Sequence, residues 1–235
     1  MLSELRGQLA LGTRADAAEL LDSGRLSRSE VARNLADLAR LNRVMPGGAG
    51  ASVEAVRRLA GGQSDVHVLD VGTGAADIPL RFADVGWRAT AVDINADVLA
   101  VARRAVTKVA GVEIIEADAR RLPFEDDAFD VAHCSLLLHH LEPEDARAML
   151  RDLHRVARSG VVVNDLRRGI WPLVATWATT LALARSAVTR TDGVVSARRA
   201  YTLAELDAML ADTGLSLVWR SPSWMPRVVS AAARR

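Results

Sequence analysis

From Val66 onward, short apolar runs alternate with amphipathic stretches along this chain. Val66–Val71, Arg88–Asp93, Val112–Ala117, Phe129–Cys134 and Gly160–Asn164 read as strands. Helical stretches separate most of them, for example Ala96–Val109 and Glu144–Ala157. Such alternation predicts a parallel sheet with helices on both faces. Two further runs, Leu215–Arg220 and Arg227–Ala231, are joined only by SPSWMP, a link short enough to predict an antiparallel pair. The first 65 residues read as helices instead. Ser27-Arg28-Ser29-Glu30 has the capping-box spacing, and Val31, Leu35, Leu38 and Leu41 follow as one helical stripe. Pro46-Gly47-Gly48-Ala49-Gly50 ends that helix. A shorter one carrying Val53, Val56 and Leu59 runs to Gly61-Gly62, and Thr202-Leu203-Ala204-Glu205 opens another late in the chain.

The uncharged run GIWPLVATWATTLALA, from Gly169 to Ala184, departs from this rhythm. A membrane-spanning helix needs about 20 apolar residues. This run has sixteen, including Gly169, Pro172 and three threonines, so a buried or interfacial helix fits and stable membrane insertion is not expected. The following TRTDGVVSARRAYT reads as a link to the next helix.

Composition narrows the function classes. Thirty basic against 29 acidic side chains in 235 residues, a formal net charge of +1, argue against a dedicated nucleic-acid binder, which would need a basic face. All the basic residues except Lys108 are arginines, a skew that points to genomic composition bias. One cysteine, Cys134, excludes an intrachain disulfide and a cysteine-based zinc site. MLSELRGQLALGTRADAAELL has no apolar core of signal-peptide type, so a cytoplasmic location is expected.

Residues 67–80, HVLDVGTGAADIPL, carry the chemistry: a buried strand ends in Asp70-Val71-Gly72-Thr73-Gly74 and runs into a helix. A dinucleotide fingerprint would need its third glycine at position 77, where Asp77 would face a pyrophosphate, so that reading fails. Asp93 closes the second strand, 23 residues after Asp70, and Glu116-Ala117-Asp118-Ala119 closes the third. An acid at the second position is placed to accept both ribose hydroxyls of a nucleoside.

Together with Arg121-Leu122-Pro123-Phe124 and Phe129-Asp130, these motifs resemble class I S-adenosylmethionine-dependent methyltransferases of the small-molecule type, over residues 66–166. Ala76, where many members have a third glycine, is a departure. The resemblance implies a three-layer α/β sandwich, a Rossmann-like seven-stranded sheet of order 3-2-1-4-5-7-6 with the last strand antiparallel. Residues 1–65 would be a helical lid, and 66–235 the methyltransferase domain, with a helical cap insertion at about 167–200. S-adenosyl-L-methionine would be the cofactor, held by Asp70, Gly72, Thr73, Gly74, Asp93, Ile94, Asp118, Ala119 and Cys134. Cys134 is a small core or pocket-lining residue on this reading.

The fourth strand runs into His133-Cys134-Ser135-Leu136-Leu137-Leu138-His139-His140, at the end of a doubly wound sheet where ligands bind. No [N/D]-P-P-[F/Y/W] motif of nucleic-acid amino-methyltransferases occurs there. Catechol-type relatives bind magnesium through an acid at this strand end, and Cys134-Ser135 offers none, so no metal is expected. His139 and Asp165 are the competing candidates for a base. Being adjacent, at most one of His139 and His140 should point into the pocket. His67, His133 and His154 read as structural. His140, Asn164, Trp171, Trp177 and Arg199 are candidates for the acceptor side, with the tryptophans in a hydrophobic cap and the arginine near the acceptor's oxygens.

The expected activity is metal-independent methyl transfer to a small, hydrophobic or aromatic acceptor, such as a quinone, polyketide or other secondary metabolite, at oxygen, carbon or nitrogen. The alternatives are a non-catalytic cofactor-binding protein and a protein or nucleic-acid methyltransferase. Monomer and homodimer both remain open.

Overall fold

The computed structural model describes residues 12–17 and 19–234. Seven strands form one sheet: β1 (His67–Val71), β2 (Arg88–Asp93), β3 (Val112–Glu116), β4 (Phe129–Ser135), β5 (Ala157–Leu166), β6 (Leu215–Arg220) and β7 (Arg227–Arg234). Their order is β3-β2-β1-β4-β5-β7-β6. β1 to β5 are mutually parallel, and β7 runs antiparallel to both of its neighbours, as the sequence predicts.

Period-two side-chain alternation divides the central strands between two cores. Leu69, Val71, Ala132, Cys134, Val161 and Val163 face one side, with α5 (Pro143–Val156) and α8 (Leu203–Asp212). Val68, Val131 and Val162 face the other, with α2 (Ala49–Ala60) and α3 (Asp77–Asp84). α4 (Ala96–Val106) packs on β3 and β2. Capping boxes start α1 (Arg28–Val44) at Ser27/Glu30 and α8 at Thr202/Glu205, and the Asn95 side chain caps α4.

β5 and β7 meet closely at Gly160, whose φ is +149°. A Cβ there would lie 2.2 Å from the Ala232 carbonyl oxygen, so any side chain forces the two strands apart. Gly160→Ala is therefore expected to destabilise the fold by at least about 1–3 kcal/mol, the range for overpacking. A shift in denaturant midpoint measures it, and an unchanged midpoint would disprove so tight a pairing.

Two secondary-structure readings of the sequence need correction. The stretch expected to be a link is α7 (Ala187–Arg199). β-Branched residues and Gly193 give it low intrinsic helix propensity. Its buried face is mostly polar (Thr189, Asp192, Ser196, Ala197), so no apolar period announces it. Tertiary contacts make the helix: Asp37 of α1 accepts from the Arg185 and Ser186 amides at its start, at 2.8 and 2.7 Å. Residues 12–17 and 19–27 ahead of α1 were expected to be helical. They form a strap with a single 3-10 turn, Leu21–Ser23. Asp192 accepts from the Leu20 and Leu21 amides, and Arg14 donates to the carbonyls of Arg199, His139 and Leu141. The strap's partners are distant polar groups, so no local periodicity marks it. Residues 1–11 of the expected helical segment lie outside the described residues.

The apolar run forms α6 (Ile170–Leu183), turned opposite to expectation. Pro172, Thr176 and Thr180 face inward, while Trp171 and Trp177 are 57% and 53% exposed. The inward face holds small side chains because α7 lies close: a Cβ on Gly193 would be 2.8 Å from Thr180 Cγ2. Among the described residues no helix is long and apolar enough to cross a membrane.

Candidate active site

A cavity of about 460 Å³ opens beyond the carboxyl ends of β1, β2 and β4, under α1, the strap, α6 and α7. The position matches the switch point of a doubly wound sheet, where β1 has β2 on one side and β4 on the other. Its size suits a bound small molecule.

Gly72 and Gly74 have φ of +70° and +56°, which lets the chain turn sharply after β1. A Cβ on Gly72 would lie 2.9 Å from Leu137 Cδ2, so the turn is also packed too closely for a side chain. The Gly72 and Thr73 amides both donate to the Val92 carbonyl, at 2.9 and 3.0 Å, tying the turn to β2. Asp93 receives the Gly74 amide at 3.3 Å and the Asn95 amide at 3.0 Å. Burial pushes its carboxyl above the usual range, and these amides pull the other way. Asp70 is held by His133 Nδ1 at 2.6 Å, whose Nε2 meets Ser52 Oγ at 2.9 Å; the histidine supports the acid from inside the sheet, in keeping with its structural reading. Thr73 Oγ1 is buried beside the cavity without a hydrogen-bond partner. Ile94 is 62% exposed at the rim.

Further along the wall, Leu136 adopts a left-handed φ of +51° just after β4, a strained conformation for leucine. Next to it both His139 and His140 line the cavity, contrary to the expectation that only one would. The 3-10 turn Leu138–His140 stacks their rings at 4.3 Å with a 34° tilt instead of sending them to opposite sides. His139 Nδ1 contacts Asp165 Oδ1 at 2.6 Å, and its Nε2 lies 3.3 Å from Glu19 Oε1. His140 Nε2 is 3.7 Å from Glu19 Oε2. Burial opposes charge on His139, but Asp165 and Glu19 outweigh it and push its pKa up to about 10. Burial would raise Glu19 and Asp165 too, yet the imidazole holds both below the usual carboxylate range.

The roof is mixed. Leu21, Leu38 and Leu41 supply apolar surface, and Asn34 Oδ1 and Thr176 Oγ1 are buried beside the cavity without a partner. At the floor, Arg227 donates to Asn164, Asn42 and Ser135. Burial brings its pKa down to about 10 against the pull of Asp165 and Asp77.

Several residues expected at the site do not reach the cavity wall. Asp118 turns to Arg120, 2.7 Å away, which holds its carboxyl below the usual range, and neither it nor Ala119 lines the cavity. Cys134 is sealed in the sheet core, where burial pushes its thiol pKa well up. Asn164 lies beneath the wall, bonded to Ser52 and Arg227. Asp165 lies behind His139 rather than on the surface. Trp171 and Trp177 face outward. Arg199 donates to the Ala17 and His140 carbonyls, so its guanidinium is not aimed at a ligand. Conversely, Glu19, Asn34, Thr176 and Arg227 were not singled out from the sequence, and no local motif marks them. Asp77, considered only as an obstacle to a pyrophosphate, lines the cavity and accepts from Asn42 at 3.0 Å.

Comparison with known proteins agrees with this fold. Residues 68–160 match the family model described as "Methyltransferase domain". The demethylmenaquinone methyltransferase of Chlorobaculum tepidum is 30% identical over 105 residues, 44% of this chain and 41% of that protein. The ubiquinone/menaquinone biosynthesis C-methyltransferase of Xanthomonas campestris is 36% identical over 100 residues, 40% of this chain and 39% of its own length. The chain thus spans about two fifths of these relatives. In fold it is similar to a SAM-dependent methyltransferase from Aquifex aeolicus, with a TM-score of 0.62 at 18% identity, covering 89% of this chain and 98% of that one. Motif, sheet order and family match converge: residues 68–160 match a methyltransferase-domain family model, and the fold is similar to that of S-adenosylmethionine-dependent methyltransferases.

Proposed function

We propose that this protein methylates a small, mostly apolar acceptor carrying at least one oxygen, of the quinone, polyketide or related secondary-metabolite kind. The observation that carries this reading is the continuity of the cavity, from the Gly72–Gly74 turn and Asp93 past the two histidines into the chamber beneath α1 and α6. The residues present fit the cofactor. Asp93 would accept the ribose hydroxyls, the Gly72–Gly74 backbone and Asp70 would hold the amino-acid end, and the unpartnered Thr73 hydroxyl would gain a partner there. Ile94 would cover the base from the rim. When bound, the cofactor supplies an electrophilic methyl group on its sulfonium.

The chain's own work is alignment and exclusion of water. α1 and the strap serve as the lid, stitched to α7 by Asp37, Asp192 and Ser196. Glu19 and His140 stand in the cavity wall where the acceptor's oxygen would reach, and Asp165 and Glu19 fix His139 between them. Asn34 and Thr176 provide the other polar contacts in a largely apolar chamber, as small-molecule sites commonly do.

The test is release of S-adenosylhomocysteine when protein and cofactor meet a panel of quinols, phenols and polyketides. Turnover confined to small, highly charged acceptors, or cofactor binding with no turnover on any acceptor, would refute the proposal. With the best acceptor, Thr176→Phe is expected to raise KM at least about tenfold by filling the chamber, with cofactor Kd within about twofold, whereas Trp177→Ala should change neither. A Trp177→Ala effect on KM would restore the tryptophan cap that α6 turns outward. His139→Ala should lower kcat with little change in cofactor affinity.

A further inference from the structure

We propose that Glu19, His139 and His140 form a site for one divalent transition-metal ion, opening onto the cavity. The inference goes beyond methyl transfer and does not depend on it. Among the described residues these three side chains bring their ligand atoms within 4.8 Å of one another, in the cavity wall.

The distances suit coordination. Metal bonds of about 2.0–2.2 Å in tetrahedral geometry separate neighbouring ligand atoms by about 3.3–3.6 Å. Glu19 Oε1 lies 3.3 Å from His139 Nε2, and Glu19 Oε2 lies 3.7 Å from His140 Nε2. An ion would displace the proton on His139 Nε2, and shifts of a few tenths of an ångström would close both carboxylate–imidazole edges around it. The stacked rings direct both Nε2 atoms toward the same carboxylate.

The surroundings are those of a supported ligand set. Metal-bound histidines generally donate their other ring N–H to a carboxylate, which fixes tautomer and ring orientation. Asp165, 4% exposed, stands 2.6 Å from His139 Nδ1 and also accepts the His139 amide at 3.1 Å. The Glu19 carboxylate is itself oriented, accepting from Ser196 Oγ at 2.7 Å. Two imidazoles and one carboxylate favour Zn, Fe, Co, Ni or Cu over Mg, and they leave coordination positions open. Those positions would face the chamber, where an acceptor oxygen could take one and be polarised. An ion here would also pin the strap, through Glu19, to the turn after β4. The expectation of a metal-free site rested on the lone cysteine and on the missing acid at the end of the fourth strand; Glu19 arrives from the strap, which the sequence pattern does not place.

Cobalt(II) is a suitable probe, titrated into the chelator-treated full-length chain without cofactor or acceptor. One equivalent should bind saturably, with visible ligand-field absorption of a low-coordinate site, and zinc(II) should displace it. Glu19→Gln keeps the size of the side chain and its bond from Ser196. It and His140→Ala should each weaken binding at least about tenfold. His154→Ala, whose imidazole meets the Thr213 carbonyl elsewhere, should bind like the parent. Thermal unfolding of the metal-free variants checks their folding. Absence of saturable cobalt absorption, or unchanged affinity in folded Glu19→Gln and His140→Ala, would overturn the proposal. No methyl transfer enters the assay, so a failure of the methyltransferase reading is distinguishable from a failure of this one.

Discussion

Replacing Asp93 with alanine is expected to lower affinity for S-adenosylmethionine about a hundredfold. A carboxylate that accepts two hydroxyl donors makes two charge-assisted hydrogen bonds of about 1.5–3 kcal/mol each, and even the lower figure for both corresponds to more than two decades in Kd. Asp93 also receives the Gly74 and Asn95 amides, so the alanine variant loosens the glycine turn as well as the ribose contact. Asp93→Asn separates the two effects. It keeps an acceptor oxygen but loses the charge and one acceptor, and should fall about tenfold. Calorimetric titration of the three proteins, with unfolding temperatures alongside, measures this. An unchanged Kd in Asp93→Ala would remove the residue from the cofactor site.

The second large effect is on stability. Arg227→Met should destabilise the fold by about 3–5 kcal/mol, the cost of removing one partner from a buried charge network. Arg227 is 2% exposed and donates to Asn42, Ser135 and Asn164, which reach it from α1, β4 and β5. Methionine fills much of the volume but leaves these acceptors without that donor, and removes the positive charge near Asp77 and Asp165. For a chain of this size each kcal/mol shifts Tm by about 2–4 °C, so a fall of roughly 6–20 °C is expected. A variant as stable as the parent would show that water or rearrangement replaces the arginine at little cost.

These two residues differ in how they are found. Asp93 is legible because the acid at the second strand end follows from local order: apolar run, turn, helix. The glycine turn, Asp70 and the capping boxes of α1 and α8 are legible for the same reason, since each depends on residues within a few positions of one another. Arg227 sits in a strand that reads as ordinary, and its partners lie on three other elements. Glu19 likewise gains its meaning from two histidines far along the chain. α7 was missed because its buried face is polar, and α6 was read with its tryptophans inward because hydrophobicity does not specify which side of a helix meets a neighbour.

The sequence by itself determined the strand–helix alternation and the glycine turn with its acids at successive strand ends, and so the part of the cavity proposed to hold the cofactor. Period-two and 3.6-residue patterns and turn chemistry are local, and a single chain segment carries them whole. Only the tertiary structure decided the part proposed for the acceptor: the strap that brings Glu19 to His139 and His140, the roof of α1, α6 and α7, and Arg227 at the floor. Those features are polar contacts between segments distant in sequence, and they take form only when packing sets which faces meet.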